Sequence, residues 1–135
     1  FVAADGIESI IDVIANLSID GQDQYIRSIA EMDLELAQKI NRFYVTFKDI
    51  TTLPEDLLAK VLQDVERDSL SAALVNVTED ILLVVLQLFP ERMQQMIRSG
   101  IESNENITPE SIDAARKDIL QAVRKELKAL GGLAV

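Results

Sequence analysis

Apolar side chains return every three or four residues along most of this chain, which is the period of an α-helix rather than a strand. Ile7, Ile10, Ile11, Ile14 and Leu17 follow Gly6 at that spacing and predict a first helix, ended by the stretch from Asn16 to Gly21. Tyr25, Ile26, Ile29 and Met32 line a second helix. Leu34, Leu36, Ala37, Ile40 and Phe43 line a third, with Asp33 as its N-cap. Then Tyr44-Val45-Thr46-Phe47 breaks the rhythm with β-branched and aromatic residues. It reads as a short extended joint between two helical units, or else as the frayed end of the third helix.

Helical spacing resumes beyond the joint. Thr52-Leu53-Pro54-Glu55 has the spacing of a capping box, and it opens a helix carrying Leu57, Leu58, Val61, Leu62 and Val65. Asp68 is expected to cap a short helix bearing Leu70, Ala73 and Leu74. Thr78 is expected to cap a helix over 81–88 that is apolar around nearly its whole circumference, which predicts a place at the centre of the second unit. Pro90 starts a helix to about Glu102 with Met93, Met96 and Ile97 on one side, weakened near its end by Gly100. Thr108-Pro109 begins the longest helix, to about Leu130, with Ile112, Ala115, Ile119, Val123, Leu127 and Leu130 as its stripe and Gly131-Gly132 as its stop. The pattern contains no sheet and no fixed-period repeat. The expected fold is all-α, an armadillo-like right-handed helical superhelix: a three-helix unit at 1–44, a hinge and connector at 45–50, and a larger helical unit at 51–135.

Composition narrows the chemistry. With 48 % hydrophobic residues in 135, the chain has enough apolar side chains for a sizeable core, and with 4 % aromatics that core is aliphatic. The absence of Cys and His removes disulfides, thiolate metal sites, Cys nucleophiles and the side chain best suited to proton transfer near neutral pH. It also fits a reducing cytoplasm. A net charge of −10 argues against nucleic acid. That charge is uneven: residues 1–90 carry 16 acidic and 6 basic side chains, and residues 91–135 carry 7 of each. The longest apolar run, 81–86, is far too short to span a bilayer. The chain opens on Phe1-Val2-Ala3-Ala4 without Met, which reads as a fragment of something longer.

Candidate catalytic groups do not assemble into a site. There is no Gly-rich phosphate loop and no base beside a nucleophilic Ser. The carboxylate pairs Glu55-Asp56 and Glu79-Asp80 fall in first turns, where the helix dipole favours negative charge. Asp64-x-Glu66-x-Asp68 starts like a calcium loop, yet lacks its Gly and its terminal Glu. An enzyme is not expected, and neither a cofactor nor a metal is called for. Binding chemistry is more promising in the mixed-charge helix that carries Glu91, Arg92, Arg98 and Glu102. It reads either as an electrostatic docking strip or as an ordinary solvated face. Arg92 and Arg98 are too far apart around the helix to form one pincer.

Several segments, in collinear order across nearly the whole chain, resemble the C-terminal part of the flagellar motor switch protein FliG. Asp5-Gly6-Ile7-Glu8 and Val13-Ile14-Ala15-Asn16-Leu17 are similar to the segment that opens that region. Asp33-Leu34-Glu35-Leu36-Ala37 resembles its Asp-Pro-Glu-Leu-Ala stretch. Tyr44-Val45-Thr46-Phe47 falls on its Met-Phe-x-Phe hinge, and Phe47-Lys48-Asp49-Ile50 on its Phe-Glu-Asp-Ile.

The resemblance implies a rotor component at the flagellar basal body, cytoplasmic and peripheral to the inner membrane. It implies a hinge at Tyr44, Val45, Thr46 and Phe47 that reorients the second unit. It further implies contact through Arg92, Arg98 and Glu91 with the cytoplasmic loop of the stator protein MotA, and other surfaces for FliM, FliN and neighbouring copies in a ring. The chain departs from the family's charge pattern at Val75, Ser99-Gly100 and Thr108, while Arg92 is retained. Two other readings stay open: a FliG-like paralogue outside the motor, and the magnesium-sensing helical domain of a transporter, for which the acidic front would bind Mg2+.

Overall fold

A computed structural model describes residues 4–133, with side chains from Gly6 onward. Phe1 to Ala3 and the last two residues, the outer ends of the units expected at 1–44 and 51–135, lie outside it. The described residues form eight α-helices, α1 (Ala4–Ala15), α2 (Ile19–Met32), α3 (Leu34–Asn41), α4 (Glu55–Asp64), α5 (Arg67–Ala73), α6 (Glu79–Leu86), α7 (Glu91–Ser103) and α8 (Pro109–Ala129), with a 3-10 helix over Phe47–Thr52. The fold is all-α, as the helical period predicts, with no strand among these residues.

Local chemistry fixes several ends. Asp33 accepts from the Leu36 N–H and Thr108 from the Ser111 N–H, so both expected N-caps form. At the far end of α8 the Gly132 N–H reaches the Leu127 carbonyl and the Gly131 N–H that of Lys128. Both glycines have positive φ, +77° and +95°, which makes this a Schellman stop that an L side chain would strain.

Other ends move. Asn16 to Gly21 does not simply end the first helix: Ser18 caps α2 and accepts from the Gly21 N–H, so Ile19, Asp20 and Gly21 are its first turn. No capping box forms at Thr52, whose hydroxyl donates instead to the Asp49 carbonyl inside the 3-10 helix, and Pro54 becomes the N-cap of α4. Glu66 occupies the cap of α5, leaving Asp68 in its first turn. Thr78 stands at the cap of α6 without a side-chain bond.

A single buried cluster runs from Ile7 and Ile11 in α1, through Ile40, Tyr44, Phe47 and Leu58, to Ile119, Val123 and Leu127 in α8. α8 packs along α5 and also touches α4 and α2. That arrangement displaces α6 from the centre it was expected to hold. Only Val85 and Leu86 of α6 are buried, against the 3-10 helix, while Leu83 and Val84 stand 44 % and 38 % exposed. The reason lies in length: α8 is 21 residues and offers a continuous apolar stripe, whereas α6 has 8. Tyr25, Met32, Leu34 and Leu130, placed on inner faces by spacing, are exposed as well. Gly100 proves to be a packing device. A Cβ there would lie 2.9 Å from the Ser71 Cβ, so the missing side chain lets α5 and α7 approach closely.

Candidate functional site

Two places carry the expected functional residues. The first is the crossing from α3 to the 3-10 helix. Residues 44–46 have no regular structure, and Thr46 is extended, with φ −80° and ψ 163°. This is no exposed strap: Tyr44, Val45, Thr46 and Phe47 are all buried. Two polar contacts tie the segment down. The Tyr44 hydroxyl donates to Gln22 Oε1 at 2.6 Å, and the fully buried Gln22 amide donates onward to the Leu17 carbonyl at 3.1 Å. Burial pushes the Tyr44 phenol up to about 12, against a smaller opposing pull from Arg124 and the Gln22 bond. At the other end of the crossing, the guanidinium of Arg116 lies 4.8 Å from the Phe47 ring centroid.

Arg116 does more than stack. Its Nε and Nη2 donate to the Ala73 and Val75 carbonyls at 2.9 and 2.8 Å, which satisfies the C-terminal end of α5 with a positive charge. Burial lowers its pKa, while Asp113 and Asp20 pull the other way. One α8 side chain therefore joins the crossing segment to the end of α5. Beside it, Asp113 accepts from the Ile19 N–H at 3.0 Å. Further along α8, Arg124 pairs with Asp12 and Lys128 with Glu8, and the Arg42 Nε donates to the Leu133 carbonyl. Sequence reasoning missed Arg116 and Gln22, because the α5 carbonyls that Arg116 holds and the Tyr44 hydroxyl that Gln22 receives lie far from them in sequence.

The second place is α7. Pro90 caps it, Glu91 stands in its first turn, and Ile97, fully buried, anchors its inner face. Glu91, Arg92 and Arg98 are all exposed. Arg92 and Arg98 point in different directions, as their spacing requires. The structure instead places Arg92 with Arg67 of α5, on the rim of an open groove of about 580 Å³ lined also by Asp68, Ser71, Met96 and Ser99. Arg67 went unnoticed in the sequence, since only the close approach of α5 to α7 brings it there. Its Nη2 and Nη1 lie 3.5 and 3.8 Å from the sulfurs of Met93 and Met96. Among the described residues, neither Arg67, Arg92 nor Arg98 has a carboxylate within ion-pair distance.

Carboxylates do not converge elsewhere: among the described residues no three acidic side chains are arranged to hold a metal ion. No helix of this structure is long and apolar enough to cross a membrane.

Comparison with known proteins agrees with the all-α fold. The sequence model described as the FliG C-terminal domain matches residues 27–132. The chain is 26 % identical over 120 residues to the flagellar motor switch protein FliG of Bacillus subtilis, covering 89 % of this chain and 36 % of that protein. It is 22 % identical over 125 residues to FliG of Borreliella burgdorferi, covering 93 % and 36 %. Among solved structures, FliG residues 86–343 from H. pylori superposes with a TM-score of 0.66 at 19 % identity, over 96 % of this chain and 61 % of that one. Full-length FliG from Aquifex aeolicus gives 0.62 at 21 %, over 99 % and 41 %. The chain thus spans 36 % of the length of each of the two curated relatives named here.

Proposed function

This chain belongs to the FliG C-terminal domain family, and from that premise we propose that it is the rotor-side segment of a flagellar motor switch. It acts as an interaction scaffold rather than an enzyme, at the cytoplasmic face of the basal body. α7 faces the cytoplasmic loop of the stator protein MotA, with Arg92 as the leading contact and Arg98 and Glu91 beside it. Other helical surfaces meet FliM, FliN and neighbouring copies in a ring. The observation that carries this reading is the state of the α7 cations: they are exposed and have no ion-pair partner among the described residues, on a chain of net charge −10. An unpaired cation on an acidic protein is available to a partner, and such charges steer encounter more than they stabilise a complex. The family match favours this reading over the magnesium-sensing alternative.

Residues 44–47 are the hinge in this proposal, dividing a unit at 1–44 from one at 51–135. Reorientation there requires the contacts that cross between the two to open, namely Asp113 with the Ile19 N–H, Arg124 with Asp12, Lys128 with Glu8 and Arg42 with the Leu133 carbonyl.

The test is swimming and filament counting in the source organism after deletion of this gene, followed by complementation with the Arg92→Glu chain. Loss of filaments or paralysis on deletion supports the motor role, and paralysis that Arg92→Glu fails to rescue supports the strip. Normal swimming on deletion would assign the chain to a paralogue outside the motor. Full rescue by Arg92→Glu would remove Arg92 from the contact.

A further inference from the structure

We infer that the turn at 131–133, which follows α8, is a strap that clips the unit at 51–135 to the end of α3 and so holds the crossing at 44–47 closed. The inference rests on the reading of that crossing as a hinge, and adds to it the element that governs how readily it opens.

The strap is built largely from backbone. Arg42 is the C-cap of α3, where carbonyls run out of helical partners. The Leu133 N–H donates to the Arg42 carbonyl at 2.8 Å, and the Arg42 Nε donates back to the Leu133 carbonyl at 3.0 Å. The Arg42 Nη2 adds a longer bond to the Gly131 carbonyl at 3.4 Å, and the guanidinium lies 5.4 Å from the Phe43 ring centroid. Gly132 rests on the same ring: a Cβ there would lie 2.9 Å from the Phe43 Cζ. Positive φ at Gly131 and Gly132 turns the chain back, and the missing Cβ at Gly132 lets it lie flat on Phe43. Phe43 and Leu133 are both partly buried against the core cluster.

Other contacts cross between the two units, but they are weaker holds. Arg124–Asp12 and Lys128–Glu8 each have one partner more than half exposed, Asp12 at 61 % and Lys128 at 71 %, so water and salt compete for both pairs. Asp113 with the Ile19 N–H is one part-buried bond. The Leu133–Arg42 backbone bond carries no formal charge, so salt does not screen it. The strap also has the better position. Arg42 and Phe43 directly precede Tyr44, so a unit swinging about 44–47 must first lift Leu133 off Arg42.

The experiment uses the whole chain with Glu31→Cys on α2 and Glu102→Cys on α7, both exposed, in a sequence that has no other cysteine. Nitroxide labels there report the distance between the units by double electron–electron resonance, beside a urea titration of each variant. The parent is expected to give one main distance. Arg42→Ala and Gly132→Ala are each expected to raise a second population about fivefold, the ratio that one lost bond represents. Gly131→Ala strains the same turn but its Cβ meets nothing within 4 Å, and it is expected to raise that population less. Arg124→Gln should change it least. If Gly131→Ala and Gly132→Ala act equally, the effect is unwinding of the α8 end and the strap is overturned. If Arg42→Ala and Gly132→Ala lower stability while the single distance persists, the turn only stabilises the fold, and the strap is again overturned. A second population that appears only with Arg124→Gln and Lys128→Gln combined would give control to the ion pairs, so that the strap falls and the hinge stands. A single distance in a folded chain carrying Arg42→Ala, Arg124→Gln and Lys128→Gln together would overturn the hinge as well.

Discussion

α7 and α8 are both mixed-charge helices, and their cations have different fates. On α8 four of the five cations are engaged: Arg116 holds two carbonyls and a ring, Lys117 pairs with Asp113 of the same helix, Arg124 with Asp12, and Lys128 with Glu8, while the exposed Lys125 forms no ion pair among the described residues. On α7 Arg92 and Arg98 pair with nothing among the described residues. Nothing in the residue types separates the two helices. Position does: α8 runs through the buried cluster with α2, α4 and α5 against it and reaches α1 through two ion pairs, so most of its cations meet other elements, whereas α7 shows its outer face to solvent. A charge that meets other elements holds the fold, and one facing solvent remains free to recognise something else.

The sharpest break in that comparison is expected at Arg116. Arg116→Ala removes two bonds to the α5 carbonyls and the stack on Phe47, and should cost about 2–4 kcal/mol of unfolding free energy in a urea titration. Arg116→Lys should recover less than half, since a single ammonium cannot reproduce the planar fork.

Tyr44 comes next, as the anchor of the crossing that α8 holds in place. Tyr44→Phe leaves the buried Gln22 carbonyl oxygen without its donor and should cost about 1–2 kcal/mol. The same substitution alters the alkaline limb. With its phenol raised by burial to about 12 from a reference of 10.0, the native state keeps a proton that the unfolded state gives up. This contribution is present below pH ~10 and is lost as pH rises toward ~12. Tyr44→Phe should therefore make stability fall less steeply over that window, as read from thermal melts in alkaline buffers.

A smaller effect is expected at Arg124, whose ion pair with Asp12 is partly exposed. Arg124→Gln should cost roughly 0.2–1 kcal/mol and should lose most of that difference in high salt. The smallest belongs to α7: Arg92→Glu and Arg98→Glu should change stability by no more than about 0.5 kcal/mol by the same titration. A large loss there would show that α7 cations hold the fold after all and would erase the contrast with α8.

The resemblance carried by Asp33-Leu34-Glu35-Leu36-Ala37 and Phe47-Lys48-Asp49-Ile50 led to the right family, because order and spacing along a chain survive in sequence. Caps with a local partner, such as Asp33 and Thr108, were equally readable. Thr52 and Asp68 misled because a capping signal has competitors one turn away, here the 3-10 helix and Glu66. Within the candidate site Arg92 was legible and Arg67 was not, since one lay in a recognised pattern and the other gained its meaning from a neighbouring helix.

Residue order and spacing alone were enough to read that this chain is helical, where its long helix starts and stops, and which family it belongs to, since each depends on residues within a few turns or on their order. Packing settled that α8 and not α6 takes the centre, that Gly100 is a point of helix contact, that the crossing at 44–47 is buried and tied to Gln22 and Arg116, and which cations of the described residues form no ion pair. Those outcomes depend on which surfaces meet across many residues of chain. Periodicity says that a face is apolar or charged, and only packing says what lies against it.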